Sequence, residues 1–193
     1  MAGNVLTKKP VHKMKKILIV LVLIFIQNNT SAQVIFGNAI GTAANKTSVL
    51  MEFPNAGNRG MILPYVTNKA NITTPGSIIL DASVPTAAKV KYLAANSTWI
   101  DLSVQPSNVS SYLTIQPVAK ENTNAKVVIG SETSATDGIL VLESATKAMV
   151  LPMANSYQNI VNPAPGTMVL LSGGEALKIL AVFNGTQWSF WNY

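Results

Sequence analysis

Beyond residue 32 the hydrophobic positions fall in short runs of four to seven residues, set apart by Gly, Pro, Asn and Ser. Val, Ile, Leu and Thr dominate these runs, a composition that suits a pleated, half-buried surface. Ser77 to Leu80 and Lys89 to Ala94 are two of them, and Ala95-Asn96-Ser97 turns the chain into a third, Thr98 to Leu102. Lys178 to Phe183 leads through Asn184-Gly185 into Thr186 to Trp191. Asn-Gly between apolar runs predicts a tight hairpin with positive φ at both turn positions. Pro75-Gly76 and Pro165-Gly166 each predict a turn before a strand. Pro64 and Pro152 close apolar runs, which marks strand ends or edge strands. No window after residue 32 sustains a 3.6-residue period, so no long helix is expected there. The expected fold class is all-β.

The runs recur. Met61-Ile62-Leu63-Pro64 returns as Met149-Val150-Leu151-Pro152, 88 positions later. Val49-Leu50-Met51-Glu52 returns as Leu140-Val141-Leu142-Glu143 after 91, and Pro75-Gly76-Ser77-Ile78-Ile79-Leu80 as Pro165-Gly166-Thr167-Met168-Val169-Leu170 after 90. Lys89 to Trp99 aligns without a gap on Lys178 to Trp188, and Val34-Ile35-Phe36-Gly37 resembles Val127-Val128-Ile129-Gly130. Five blocks in one order, with small drifts in offset, are what a duplication with loop insertions leaves behind. The sequence therefore predicts two tandem repeats of a small antiparallel β module, residues 33–103 and 126–193. The polar stretch 104–125 is read as a connector. Within it, Tyr112 to Ile115 is expected to form one strand.

The first 32 residues read differently. Met14-Lys15-Lys16 precedes an unbroken apolar run from Ile17 to Ile26, followed by Gln27-Asn28-Asn29 and the small-residue stretch Thr30-Ser31-Ala32. A basic start, a short apolar helix and a small-x-small end describe a secretory signal peptide, with cleavage expected between Ala32 and Gln33. Ten apolar residues are too few to cross a bilayer, which needs about 20. The mature chain is accordingly expected to lack a transmembrane span and to be secreted or held on the outer cell surface. Met14 is the better expected start than Met1, because Met14-Lys15-Lys16 already makes a complete signal start.

Arg59-Gly60-Met61-Ile62-Leu63-Pro64, Thr74-Pro75-Gly76-Ser77-Ile78-Ile79-Leu80-Asp81, Lys89-Val90-Lys91-Tyr92 and Asn96-Ser97-Thr98-Trp99 together resemble a repeated β module of exported Bacteroidota surface proteins. That module is similar to ones in phage fibre proteins. The resemblance covers most of 33–103 and 126–193, and its motifs are structural. It implies an extracellular or surface-attached β protein with adhesive or fibrous roles and no catalytic residues. The second copy departs from the pattern at Ala148, in place of the glycine, and at Leu171, in place of Asp81.

Charge and composition narrow the chemistry. Five of the 14 basic residues lie before residue 17, and beyond residue 32 nine basic residues face eight acidic ones. Nucleic-acid binding needs a clustered basic footprint, and none is present. The chain has no Cys, and its single His, His12, lies in the leader. Disulfides, thiolate nucleophiles and Cys/His metal sites are thereby excluded, and no imidazole remains for base catalysis. No cofactor or metal is expected. Glu52 and Glu143 occupy equivalent repeat positions, which suits a structural role better than a glycosidase acid–base pair. Asp137-Gly138 is a turn signal rather than a calcium loop. Ser144-Ala145-Thr146-Lys147 matches a Ser-x-x-Lys nucleophile pattern, but it follows an expected strand and lacks its companion elements. A small hydrolase built on Ser144 and Lys147 is the enzymatic reading. The expected function is a structural or adhesive one, without catalytic activity.

The aromatic residues Trp99, Trp188, Phe190, Trp191 and Tyr193 lie at the ends of the two modules. Trp99 and Trp188 are repeat equivalents and are expected to plug their cores. Trp191 and Tyr193 have no counterpart in the first copy and are the candidate ligand-binding residues. The expected partners are another copy of the protein, or a surface or glycan, with a carbohydrate-binding module as the alternative function.

Overall fold

The computed structural model describes residues 33–37, 43, 45–53, 58–115, 122, 125–172 and 178–192. The leader, its expected helix, the cleavage residue Ala32 and Tyr193 lie outside the described residues. Fourteen strands are described: β1 Val34–Ile35, β2 Val49–Glu52, β3 Met61–Ile62, β4 Tyr65–Val66, β5 Ile78–Asp81, β6 Lys89–Leu93, β7 Trp99–Asp101, β8 Val127–Ile129, β9 Leu140–Leu142, β10 Ala148–Val150, β11 Met153–Ala154, β12 Thr167–Leu171, β13 Ile179–Phe183 and β14 Trp188–Trp191. Helix among the described residues is confined to Ser110–Thr114 and two single 3₁₀ turns, Pro85–Ala87 and Tyr157–Asn159. The chain is therefore nearly all β.

Two sheets carry most of the pairing, β4-β5-β6-β7 and β11-β12-β13-β14. In the first, Tyr65 lies opposite Leu80 in parallel, while Leu80 lies opposite Val90 in the antiparallel β5·β6 pair. In the second, Met153 lies opposite Leu170 in parallel and Leu170 opposite Leu180 antiparallel. The modules are thus mixed rather than antiparallel. The β1·β2, β2·β10 and β8·β9 pairs are parallel as well. A parallel pair needs a crossover of a dozen or so residues. The loops 67–77 and 155–166 are that long, and each ends in a Pro-Gly turn. Gly76 and Gly166 take φ +87° and +80°, and Ser77 and Thr167 return their N–H groups to the carbonyls of Thr74 and Ala164. Positive φ at the third position is what a type II turn asks of glycine.

Three local expectations are corrected by the structure. The Asn184-Gly185 hairpin is present, but only Gly185 has positive φ (111°). Asn184 is fully buried; its carboxamide oxygen accepts from the Thr186 and Gln187 N–H groups, so an Asx-type cap shapes the turn. The gapless alignment of Lys89 on Lys178 does not hold in space. Lys89 lies opposite Asp81, and the residue opposite Leu171 is Ile179. A one-residue slip turns every side chain to the other face, and the difference is absorbed by a hairpin loop one residue shorter in the second half. Finally, Tyr112 to Ile115 forms no strand: the chain is helical over Ser110–Thr114. Val109, Tyr112 and Leu113 stand at i, i+3 and i+4, the spacing that places all three on one helical face, and all three join the main core.

That core draws on both repeat blocks and on the stretch between them. Leu63, Leu80, Ala82, Ala88, Val90, Val109, Met168 and Val182 are its buried members. Residues 32–193 make one compact unit. Strands also cross between the halves: β3 pairs antiparallel with β12, and β10 pairs parallel with β2. Gly60 permits the first crossing. A Cβ there would come within 2.4 Å of Thr167 Cγ2 and 2.9 Å of the Met168 carbonyl oxygen. A smaller cluster of Ala154, Ile160, Val169, Leu171 and Ala181 fills the other side of the second sheet. Leu50, Met51 and Ile129 form a third under the parallel strands.

Candidate functional site

Side chains alternate across a strand. In the first sheet Asp81, Lys89, Lys91 and Asp101 therefore share the face opposite the main core. Asp81 lies opposite Lys89, and Lys91 opposite Asp101. An ion-pair ladder runs over this face: Lys69 Nζ to Asp81 2.7 Å, Lys91 to Asp81 3.4 Å, Lys91 to Asp101 3.3 Å and Lys89 to Asp101 2.7 Å. Burial acts to raise the Asp81 pKa. The hydrogen bonds from Lys69 and from the Ser83 hydroxyl and N–H outweigh it and lower the value from 3.8 to about 2. Asp101 is lowered too: Lys89 and Lys91 outweigh its desolvation. Two carboxylates both held ionised do not divide into acid and base, so this pair lacks the split a glycosidase requires.

The corresponding face of the second sheet carries Leu171, Ile179, Ala181 and Phe190, with Phe183 opposite Trp188. Each of the four charges on the strands of the ladder is matched here by an apolar group. Tyr157, from the 3₁₀ turn over this face, meets Phe190 edge-on at 5.3 Å and Trp188 at 6.1 Å, and Trp188 meets Phe183 at 5.2 Å. Phe190 is 47% exposed and Tyr157 37%. The result is an aromatic patch beside the open edge of β14, with its inner rim against Ile160, Val169 and Ala181. Tyr157–Asn159 is held in place by Ser156, whose hydroxyl accepts from the Gln158 N–H.

The candidate contact residue Trp191 sits elsewhere. Trp191 alternates with Phe190 and so lies on the opposite face together with Ser189. Its indole N–H donates to the Leu102 carbonyl at 2.7 Å, and Ser189 Oγ accepts from the Val104 N–H at 2.9 Å. Trp191 is still 42% exposed, but its polar atom tethers β14 to the stretch after β7. Trp188 packs half-buried against the smaller cluster, and Trp99 is also half-buried; neither is a fully buried plug. Gln33, the residue after the expected cleavage point, donates its carboxamide N–H to the buried Glu52.

The Ser-x-x-Lys element does not stand at the start of a helix. Ser144 lies in the loop between β9 and β10, and its Oγ accepts the backbone N–H groups of Thr146 and Lys147 at 3.2 and 2.9 Å. That is a local turn, with no helix start beneath the serine. Glu52 accepts from Gln33, Lys46 and the Ala43 N–H, and Glu143 from Ser134. These are structural contacts, in line with their repeat equivalence. Among the described residues no group of three or more His, Asp or Glu comes together as a metal site, and no helix is long and apolar enough to cross a membrane.

No family model, curated protein or solved structure matches the chain. The site must be judged from its own geometry, and the aromatic patch is its most distinctive feature. The sequence singled out Phe190 only as one of several terminal aromatics and passed over Tyr157. The available signal was the alternation in Trp188-Ser189-Phe190-Trp191, which places Phe190 with Trp188 and Trp191 with Ser189. Tyr157 is 31 positions away from Trp188 in sequence, and only the crossover loop brings it near.

Proposed function

We propose that this is an exported, surface-associated protein with a structural or adhesive role and no catalytic activity, built from two tandem copies of one β module. The leader pattern and the resemblance to Bacteroidota surface modules support export. The five repeated blocks, with corresponding strand order and register in the two main sheets, support the duplication. The observation that carries the adhesive role is the aromatic patch of Tyr157, Trp188 and Phe190. One module covers its outer face with ion pairs, while the other keeps the same face apolar and partly open. An apolar patch of this kind marks an interaction surface.

Fractionation of cells producing the full chain, with external protease added to intact cells, tests the address. The protein is expected outside the cytoplasm and open to cleavage; retention in the cytoplasm overturns the reading. Adsorption of the purified protein to cells or abiotic surfaces tests the role. Tyr157→Ala with Phe190→Ala is expected to lower it several-fold.

A carbohydrate-binding role is the second reading, because exposed rings stack on sugar faces. The exposed rings of Tyr157 and Phe190 make them candidates for that role beside Trp191 and Tyr193. A glycan array separates the two assignments: loss of binding on Phe190→Ala with retention on Trp191→Ala supports the patch, and no binding by the unmodified protein ends the reading.

A further inference from the structure

The β3·β12 kind of strand exchange between the two halves is made once where the repeat provides for it twice. In the second half the Pro-Gly turn and the start of β12 are covered by the Gly60–Leu63 block of the first half. Met61 lies opposite Met168, Ile62 opposite Thr167, and the Leu63 N–H donates to the Gly166 carbonyl at 3.1 Å. Pro165, Gly166, Thr167 and Met168 are all buried beneath it. A Cβ on Gly166 would touch Leu63 and Leu80 at about 3.5 Å.

The same surface of the first half has no partner strand among the described residues. Pro75 and Gly76 are exposed, Ser77 and Ile78 are half-buried, and a Cβ on Gly76 would meet nothing within 4 Å. Among the described strands, β4 pairs this edge of β5 only at Leu80 and Asp81. The Leu80 N–H reaches the Pro64 carbonyl on this side, and alternate residues of a strand present their polar groups to the same edge. The N–H and C=O of Ile78 therefore face the slot that Met61 fills on Met168.

The block that would fill it by repeat equivalence is Ala148-Met149-Val150-Leu151. Within the chain this block goes elsewhere: β10 pairs parallel with β2, at the end of the β1-β2-β10 sheet, and does not pair with β5. Its second edge is open among the described strands. The exposed faces agree in size. Gly60 in the filled slot faces Thr167 Cγ2, whereas Ala148, one methyl larger, would face Ser77, which has no such methyl. A matching deficit exists at the other end of the stack. Among the described strands, the buried β2 has two neighbours, while β9, its repeat counterpart, has only β8 and leaves Leu140 exposed.

We propose that a second copy of this chain fills the slot on the first half: β10 of one molecule adds antiparallel to the edge of β5 in the next, with Val150 opposite Ser77 and Met149 opposite Ile78. It rests on the two-module reading and names its self-partner. The contact uses different patches on the two molecules, so it repeats head to tail instead of closing on itself. It also satisfies a sheet edge that would otherwise remain open.

The chain has no cysteine of its own, so introduced pairs report without background. The full chain carrying Ile62→Cys and Thr167→Cys is the template control, and under mild oxidation it is expected to close a disulfide within one molecule. The full chain carrying Ser77→Cys and Val150→Cys is expected to give a reducible ladder of dimers, trimers and larger species. An equimolar mixture of the two single variants, Ser77→Cys and Val150→Cys, should stop at dimers. Closure of the control with the second double variant remaining monomeric overturns the proposal and leaves the surface role standing. Failure of the control overturns it too, by removing the template. A dimer alone from the Ser77→Cys, Val150→Cys variant overturns head-to-tail growth. A ladder from protein that fractionates in the cytoplasm keeps this proposal and sinks the surface role.

Discussion

Asp81 shows how a single residue couples the sheet to its medium. It is the acid at the centre of the ladder, held by Lys69, Lys91 and Ser83, with its side chain almost completely buried. A carboxyl group with its pKa lowered in the folded state binds its proton more weakly there than in the unfolded chain. Its stabilising contribution is therefore complete above the ordinary value of 3.8 and is lost as pH falls through about 2. The unfolding midpoint of the protein is expected to drop between about pH 4 and 2. Asp81→Asn should flatten that part of the profile and cost ~2 kcal/mol near neutral pH, the size of a charge-assisted hydrogen bond. Denaturant titrations at several pH values check both. Gly60 acts by sterics alone. Gly60→Ala forces a methyl against Thr167 and the Met168 carbonyl, and is expected to destabilise the fold by about 1–3 kcal/mol. Equal stability in a thermal melt would show that β3 does not lie on β12.

At the scale of elements, the last hairpin owes its place to contacts with a distant stretch. Asn184 donates to the Gln105 carbonyl, Thr186 bonds Ser107, Ser189 receives the Val104 N–H, and Trp191 reaches Leu102. The described part of this stretch up to Leu113 is thus packed, with Val109 wholly buried. Val109→Ala removes two methyl-sized groups and is expected to cost about 2 kcal/mol, read from chemical denaturation. Trp191→Phe keeps the ring but loses the indole donor, a change worth about 1 kcal/mol. If Trp191 were the ligand contact, this variant would lose binding with little effect on stability; the tether to Leu102 predicts the reverse. The strand locations were legible in the sequence, because Pro-Gly, Asn-Gly and β-branched runs act locally. The helix Ser110–Thr114 was not, since five residues carry too little periodicity to stand out from a polar stretch.

At the scale of the whole molecule, the repeat blocks do not fold as beads on a string. Leu80 and Val90 share one core with Met168 and Val182, and β3 and β10 each pair with a strand from the other block. A single cooperative transition is expected in calorimetry, with the van't Hoff and calorimetric enthalpies equal. Two resolved transitions would show that the halves are independent. The sequence by itself determined the strand-rich composition, the turn positions, the repeated blocks and the absence of thiol chemistry, because each depends on residue type and short-range spacing. Only the tertiary structure decided which strands run parallel, which face each aromatic takes, and where the halves exchange strands. Those outcomes depend on register: Trp191 and Phe190 are neighbours in sequence, yet the pleat sends one to Leu102 and the other to Tyr157. A one-residue shift, such as the one separating Lys178 from Ile179, is invisible to a comparison of letters but reverses every side chain in a strand.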